Sequence, residues 1–174
     1  MVSNGRKGTK SGARFGTMKG FSLIELLIVV AIILIIAAIA IPSLMKAKMA
    51  SNESSAVESL RTIDTGQTTY SAACPNVGYS STLVELNQGV TCLSGKNIID
   101  DILGAADPST KSGYVFTYTV IPDAATGLND SFTLTGLPSV VGVTGQRGFY
   151  SDQTDVIRFT MDGTAPTAAS SPIQ

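Results

Sequence analysis

The residues with chemistry to explain cluster at one place, Lys19 to Glu25, which reads Lys-Gly-Phe-Ser-Leu-Ile-Glu. Glu25 stands directly ahead of Leu26–Ile41, sixteen apolar residues without a break, and no other charge follows until Lys46. A charged side chain in hydrocarbon costs about 2.5–3.5 kcal/mol at the centre of a spanning helix, and less near its end. An acid so placed needs a partner, and no Lys or Arg follows within reach on the same segment. A cut between Gly20 and Phe21 would create one, because Phe21 would then carry a positive α-amine. Along one helix that amine and Glu25 sit about 6 Å apart axially and meet poorly. Between staggered neighbouring chains they pair directly, so each added chain neutralises two charges. The chemistry suggested is one cleavage followed by charge-directed association.

Little else in the sequence points to a reaction. There is no histidine, the most usual general base and metal ligand. No nucleophile–base pair, phosphate loop or metal-ligand cluster is visible, so the reading is a non-enzyme without a cofactor or metal. Asp100, Asp101, Asp123, Asn129, Asp130, Asp152, Asp155 and Asp162 are oxygen-ligand candidates without EF-hand spacing, and solvated turns are the favoured reading. Asn52-Glu53-Ser54 and Asn129-Asp130-Ser131 match the short glycosylation pattern by residue type alone. The aromatics from Tyr114 onward lie in strand-like segments and read as core. Cys74 and Cys92 are the only cysteines. In an exported domain such a pair suggests a disulfide, worth about 3 kcal/mol in the chain-entropy model.

Four segments must position these residues. Residues 1–20 are polar, Gly-rich and basic, with Arg6, Lys7, Lys10, Arg14 and Lys19 and no acid, and read as a disordered leader. Residues 21–42 form a helix long enough to cross a bilayer, ending at Pro42, which is expected to kink or loosen it. Residues 43–73 continue the helix in amphipathic form. There Ala50, Val57, Leu60, Ile63 and Tyr70 share one face, with Glu53, Glu58, Arg61 and Asp64 elsewhere. Residues 74–174 form a loop and a globular domain. Pro75–Asp107 is irregular apart from a short helix over Asn97–Ala105. Period-two alternation then marks strands at Tyr114–Ile121, Ser131–Thr135, Phe149-Tyr150 and Val156–Met161, and the Ala/Ser/Thr/Pro tail from Thr164 reads as mobile. The fold class is α+β: a long helix on a small antiparallel sheet. Downstream of the leader, seven basic residues face thirteen acidic ones, a net charge of −6. That balance offers no footprint for nucleic acid. The basic leader places the N-terminus in the cytoplasm and the domain across the membrane.

Two simpler readings compete for the N-terminal stretch. A secretory signal cut after Ala38-Ile39-Ala40 would need a core that begins with a glutamate and a cut just ahead of Pro42. A plain membrane anchor explains length and charge bias but leaves Glu25 without a purpose. The stretch Lys19–Leu26, together with Ile39-Ala40-Ile41-Pro42-Ser43-Leu44, resembles the class III signal and helix of type IV pilins and pseudopilins. The resemblance is strong over about residues 19–50 and beyond them concerns architecture alone. It implies cleavage after Gly20 by a prepilin peptidase on the cytoplasmic side, N-methylation of Phe21, Glu25 as the assembly acid, and Pro42 at a segment that tends to melt in fibres. It also implies a precursor pool in the bacterial inner membrane, an assembly machinery as partner, and a homopolymeric extracellular pilus with this chain as major subunit. The alternatives are a pseudopilin of a secretion or DNA-uptake system and a tethered periplasmic binding domain that never polymerises. The leader is longer than that of many such pilins, and both cysteines lie just after the helix rather than at a C-terminal loop.

Overall fold

The computed structural model describes residues 20–88, 92, 95 and 97–173. All of the leader but Gly20 therefore lies outside the described residues. The chain divides into two compact units, one ending at Ala40 and the other running from Ile41 to Gln174. Helix α1, Leu23–Ala73, contributes to both and passes through Pro42.

In the first unit α1 is apolar all round, and its side chains find no core: residues 20–36 and 38–40 are all exposed. Among the described residues it is the one helix long and apolar enough to cross a membrane.

In the second unit α1 has a buried face. Ala56, Leu60, Ile63 and Tyr70 enter one hydrophobic core with Leu83, Leu86, Ile99, Leu103, Tyr114, Phe116, Tyr118, Phe132, Leu134 and Phe149. Leu60, Ile63 and Tyr70 match the apolar face read from the sequence. Ala50 does not, being exposed, and Val57 is half-buried. Two acids expected on the outer face, Glu53 and Asp64, are instead buried. A three-to-four-residue period marks which positions face inward, but partners supplied by the sheet decide which acids can be tolerated there.

The sheet is a six-stranded antiparallel meander: β1 Ser109–Lys111, β2 Tyr114–Pro122, β3 Asn129–Pro138, β4 Gly148–Asp152, β5 Arg158–Thr160 and β6 Ser171–Pro172, in that spatial order. The expected α+β arrangement of a long helix on an antiparallel sheet is present. β2 and β3 pair through Tyr114↔Pro138, Phe116↔Gly136, Tyr118↔Leu134 and Val120↔Phe132. Tyr114, Phe116, Tyr118, Phe132, Leu134 and Gly136 are buried on the helix side, as period-two alternation requires. Gly136 has a packing reason, since a Cβ there would come within 3.4 Å of Leu60 on α1 and within 3.2 Å of Phe116. The aromatics pack on one another, with Tyr79 edge-on to Phe132 at 4.9 Å between ring centroids.

β4 is buried along its whole length. Its second face is covered from the C-terminal side: the Thr164 carbonyl occupies the space a Cβ on Gly148 would need, and Pro166 is buried. The tail that composition reads as mobile thus carries strand β6, and the Ser170 carbonyl accepts from Arg158 Nη1 at 3.0 Å. Neither β1 nor β6 has a sequence signal, because strands of three and two residues are too short to show alternation.

The connection from α1 to the sheet differs from expectation. The disulfide Cys74–Cys92 is formed, with Cα atoms 5.8 Å apart. A short helix α2 lies at Leu83–Asn87, and the segment Asn97–Ala105 is irregular apart from a single turn at its C-terminal half. Thr82 caps α2 by accepting from Glu85 N–H, while Glu85 Oε2 accepts from Ser81 N–H and Oε1 from the Tyr70 hydroxyl at 2.7 Å. The pattern Thr82-x-x-Glu85 is a capping box readable in the sequence. In Asn97–Ala105 one capped turn forms and goes no further. Asp100 Oδ1 accepts from Ile102 and Leu103 N–H, the Asp100 carbonyl accepts from Gly104 N–H, and a Cβ on Gly104 would collide with Asn87.

Candidate functional site

The N-terminal site is built by the way α1 begins. Its first described backbone hydrogen bond runs from Leu26 N–H to the Ser22 carbonyl at 3.2 Å, so Ser22 stands at the cap position and Leu23 starts the helix. Gly20 and Phe21 precede the helix, and Phe21 is 78% exposed. An exposed peptide bond ahead of a helix is accessible to a protease in a way that a helical one is not. Among the described residues nothing lies within 4 Å of the position a Cβ on Gly20 would take. The described part of the fold therefore gives no packing reason for glycine there.

Glu25 sits in the first turn of α1, where a carboxylate complements the exposed N–H groups of the helix end. It is exposed, and among the described residues it makes no ion pair. The exposed surface around it is formed by Phe21, Leu23, Ile24, Leu26 and Ile28. In water such an apolar surface is unstable, and in lipid the carboxylate is. Pro42 lies inside α1, two residues past the division between the units. It lacks the N–H that would bond the Ala38 carbonyl, which weakens this turn of the helix.

The other candidates are dispersed. Asp100 pairs with Lys111 at 2.9 Å. Asp123 and Asp162 cap turns through Ala125 N–H and Thr164 N–H. Asp152 accepts from Thr154 N–H and the Tyr150 hydroxyl. Among the described residues no three of His, Cys, Asp and Glu come together as metal ligands. In both glycosylation triplets the asparagine amide is engaged, Asn52 on the Thr144 carbonyl and Asn129 on the Tyr79 carbonyl, each at 2.8 Å.

Two polar sites escape the sequence pattern and tie α1 to the sheet. Glu53, 8% exposed, accepts through Oε1 from Gln146 N–H (2.8 Å) and Arg147 N–H (3.2 Å), and through Oε2 from Arg147 Nε (2.7 Å). Burial pushes its carboxyl up, but these hydrogen bonds and the guanidinium charge together hold it below its ordinary value. Arg147 also lies over the rings of Phe149 and Phe159 at 5.4 and 5.8 Å. Asp64 accepts from the Ser151 hydroxyl at 2.6 Å. The only hint in the sequence is the spacing, for Glu53 and Asp64 lie three residues before Ala56 and one after Ile63, at the edges of the apolar face.

With this geometry in place, comparison with known proteins yields one match. Residues 17–41 fit the family described as the prokaryotic N-terminal methylation motif. No curated protein and no solved structure matches the chain. The matched span contains Gly20, Phe21 and Glu25 and stops one residue before Pro42.

Proposed function

From a chain that carries the type IV pilin and pseudopilin signature at its N-terminus, we propose a major subunit of a type IV pilus, cleaved after Gly20 and polymerised through α1. The signature implies processing by a prepilin peptidase and assembly into pilus-like polymers, and with the apolar helix it fits insertion into a membrane. Proteins of this kind are structural rather than enzymatic. The observation that carries the reading is Glu25, without an ion pair among the described residues, in the first turn of an exposed apolar helix that begins just after Gly20 and Phe21, both exposed. Cleavage frees the Phe21 amine, which is N-methylated in the mature chain. The helix leaves the inner membrane, with the domain on its outer side, and packs against other copies as the fibre core. Lipid is as apolar as the helix, so burial alone gives little drive. Side-chain packing and the pairing of Glu25 with a neighbouring Phe21 amine supply the direction. Pro42 gives the helix a place to loosen as it moves from lipid into the fibre.

Two measurements test this. Intact mass and N-terminal sequencing of sheared surface material should find an N-methylated Phe21 terminus. A chain retaining Met1 and confined to membranes would favour a tethered domain, and a processed chain absent from surface fibres would favour a pseudopilin. Replacing Glu25 by Ala should leave cleavage largely intact and lower fibre yield by about tenfold or more, since each 1.4 kcal/mol of lost pairing is a factor of ten. Normal yield from Glu25→Ala would overturn the pairing mechanism.

A further inference from the structure

Asp64 lies in the seam between α1 and β4, 5% exposed. Its Oδ2 accepts from the Ser151 hydroxyl at 2.6 Å, and Ser151 is itself fully buried. Its Oδ1 is buried with no hydrogen-bond partner among the described residues. A carboxylate in that position has one oxygen stripped of water with nothing in return, at a cost of several kcal/mol for a full charge. The groups that face it do not relieve this. Asp152 on β4 and Asp155 in the loop after β4 are both acids whose charges disfavour a third. Arg61, one turn earlier on α1, lines the same cleft of about 370 Å³ with Thr65, Thr68 and Asp155, yet it is exposed and makes no ion pair among the described residues.

We infer that Asp64 is a proton-operated latch: protonated, it closes the seam between α1 and β4, and ionised, it loosens the seat of the helix on the sheet. A proton turns the uncompensated charge into a neutral acid that keeps its bond from Ser151. Burial, opposed by that bond and reinforced by Asp155 and Asp152, pushes the carboxyl up from 3.8 to about 7. Asp64 thereby takes the place of the histidine this sequence lacks as a group that changes charge near neutral pH. The direction follows from linkage. Between 3.8 and about 7 the folded chain holds a proton that the unfolded chain has lost. Stability is therefore greatest at the acid side of that window and falls as pH rises through about 7. The latch belongs to the domain from Ile41 onward and does not depend on how the apolar helix assembles.

The test is thermal unfolding of the full-length protein in detergent from pH 5.5 to 8.5, with and without Asp64→Asn. The wild-type midpoint should fall by about 4–8 °C across this range, and the variant should be nearly flat. An unchanged slope in Asp64→Asn would overturn the latch. Infrared difference spectra of the wild type provide a reading that does not depend on the variant folding. A protonated-carboxyl band present at pH 5.5 should disappear with a midpoint near 7. Absence of that band at pH 5.5 would equally overturn the proposal.

Discussion

Helix α1 has two stretches that share a backbone and differ in everything their side chains meet. From Leu23 to Ala40 it is apolar on every side and nearly every residue is exposed. From Glu53 to Tyr70 one face is buried in a core, and of the acids on its border Glu53 is fully matched to donors on the sheet side while Asp64 is matched at one oxygen only. The difference teaches that helix formation and helix purpose are separate problems. The backbone satisfies its own hydrogen bonds in either stretch. Among the described residues only the second has a core to pack on; the first is suited to lipid or to like helices.

The sharpest way to break that comparison is to make the same kind of cut in both stretches. Leu60→Ala should cost about 2–5 kcal/mol, because Leu60 is fully buried against Phe116 and Gly136. Leu34→Ala, in the exposed stretch, should leave the thermal unfolding of the domain within error of wild type. Equal losses from the two in a calorimetric unfolding experiment would show that the apolar stretch is part of the folded core after all.

A second, smaller effect tests the polar tie. Glu53→Ala removes the acceptor for two backbone N–H groups and the Arg147 guanidinium. It should cost about 1–3 kcal/mol at pH 7, towards the low end because Arg147 is half exposed. The carboxyl of Glu53 is held below its ordinary value of 4.5. Its contribution is therefore present above 4.5 and is lost as pH falls through the lower, folded-state value. Denaturant melts of wild type and variant should converge in acid, the reverse of the Asp64 trend. A gap that stays constant down to the acid limit would mean the loss is one of packing rather than charge.

The smallest effect is expected at the surface. Lys111→Ala breaks the pair with Asp100, both side chains partly open to water, and should cost about 0.2–1 kcal/mol. Addition of salt should shrink even that difference. A loss as large as that of Glu53→Ala would mean that the turn at Asp100 is held by more than its own hydrogen bonds.

Much of this architecture is legible in the residues alone. Sixteen unbroken apolar positions, with one acid directly ahead and basic residues before it, specify a membrane-competent helix and pose the question of a partner for Glu25. Alternation from Tyr114 and from Ser131 specifies β2 and β3, because a strand with one face on a core must repeat every second residue. The two cysteines specify a staple after α1. Sequence reading fails where a segment's structure is set by neighbours that arrive later in the chain. The one turn at Asp100–Gly104 stops against Asn87, β1 and β6 exist only as edge partners of β2 and β5, and α2 is five residues held by Tyr70 as well as by its own cap. Glu53 and Asp64 look like solvated acids because local pattern carries the period of a helix but not the identity of what packs on it. Whether a buried carboxylate is tolerable depends on donors at Gln146, Arg147 and Ser151, some ninety residues away in the chain, and only the closed helix–sheet seam brings those groups within hydrogen-bonding distance.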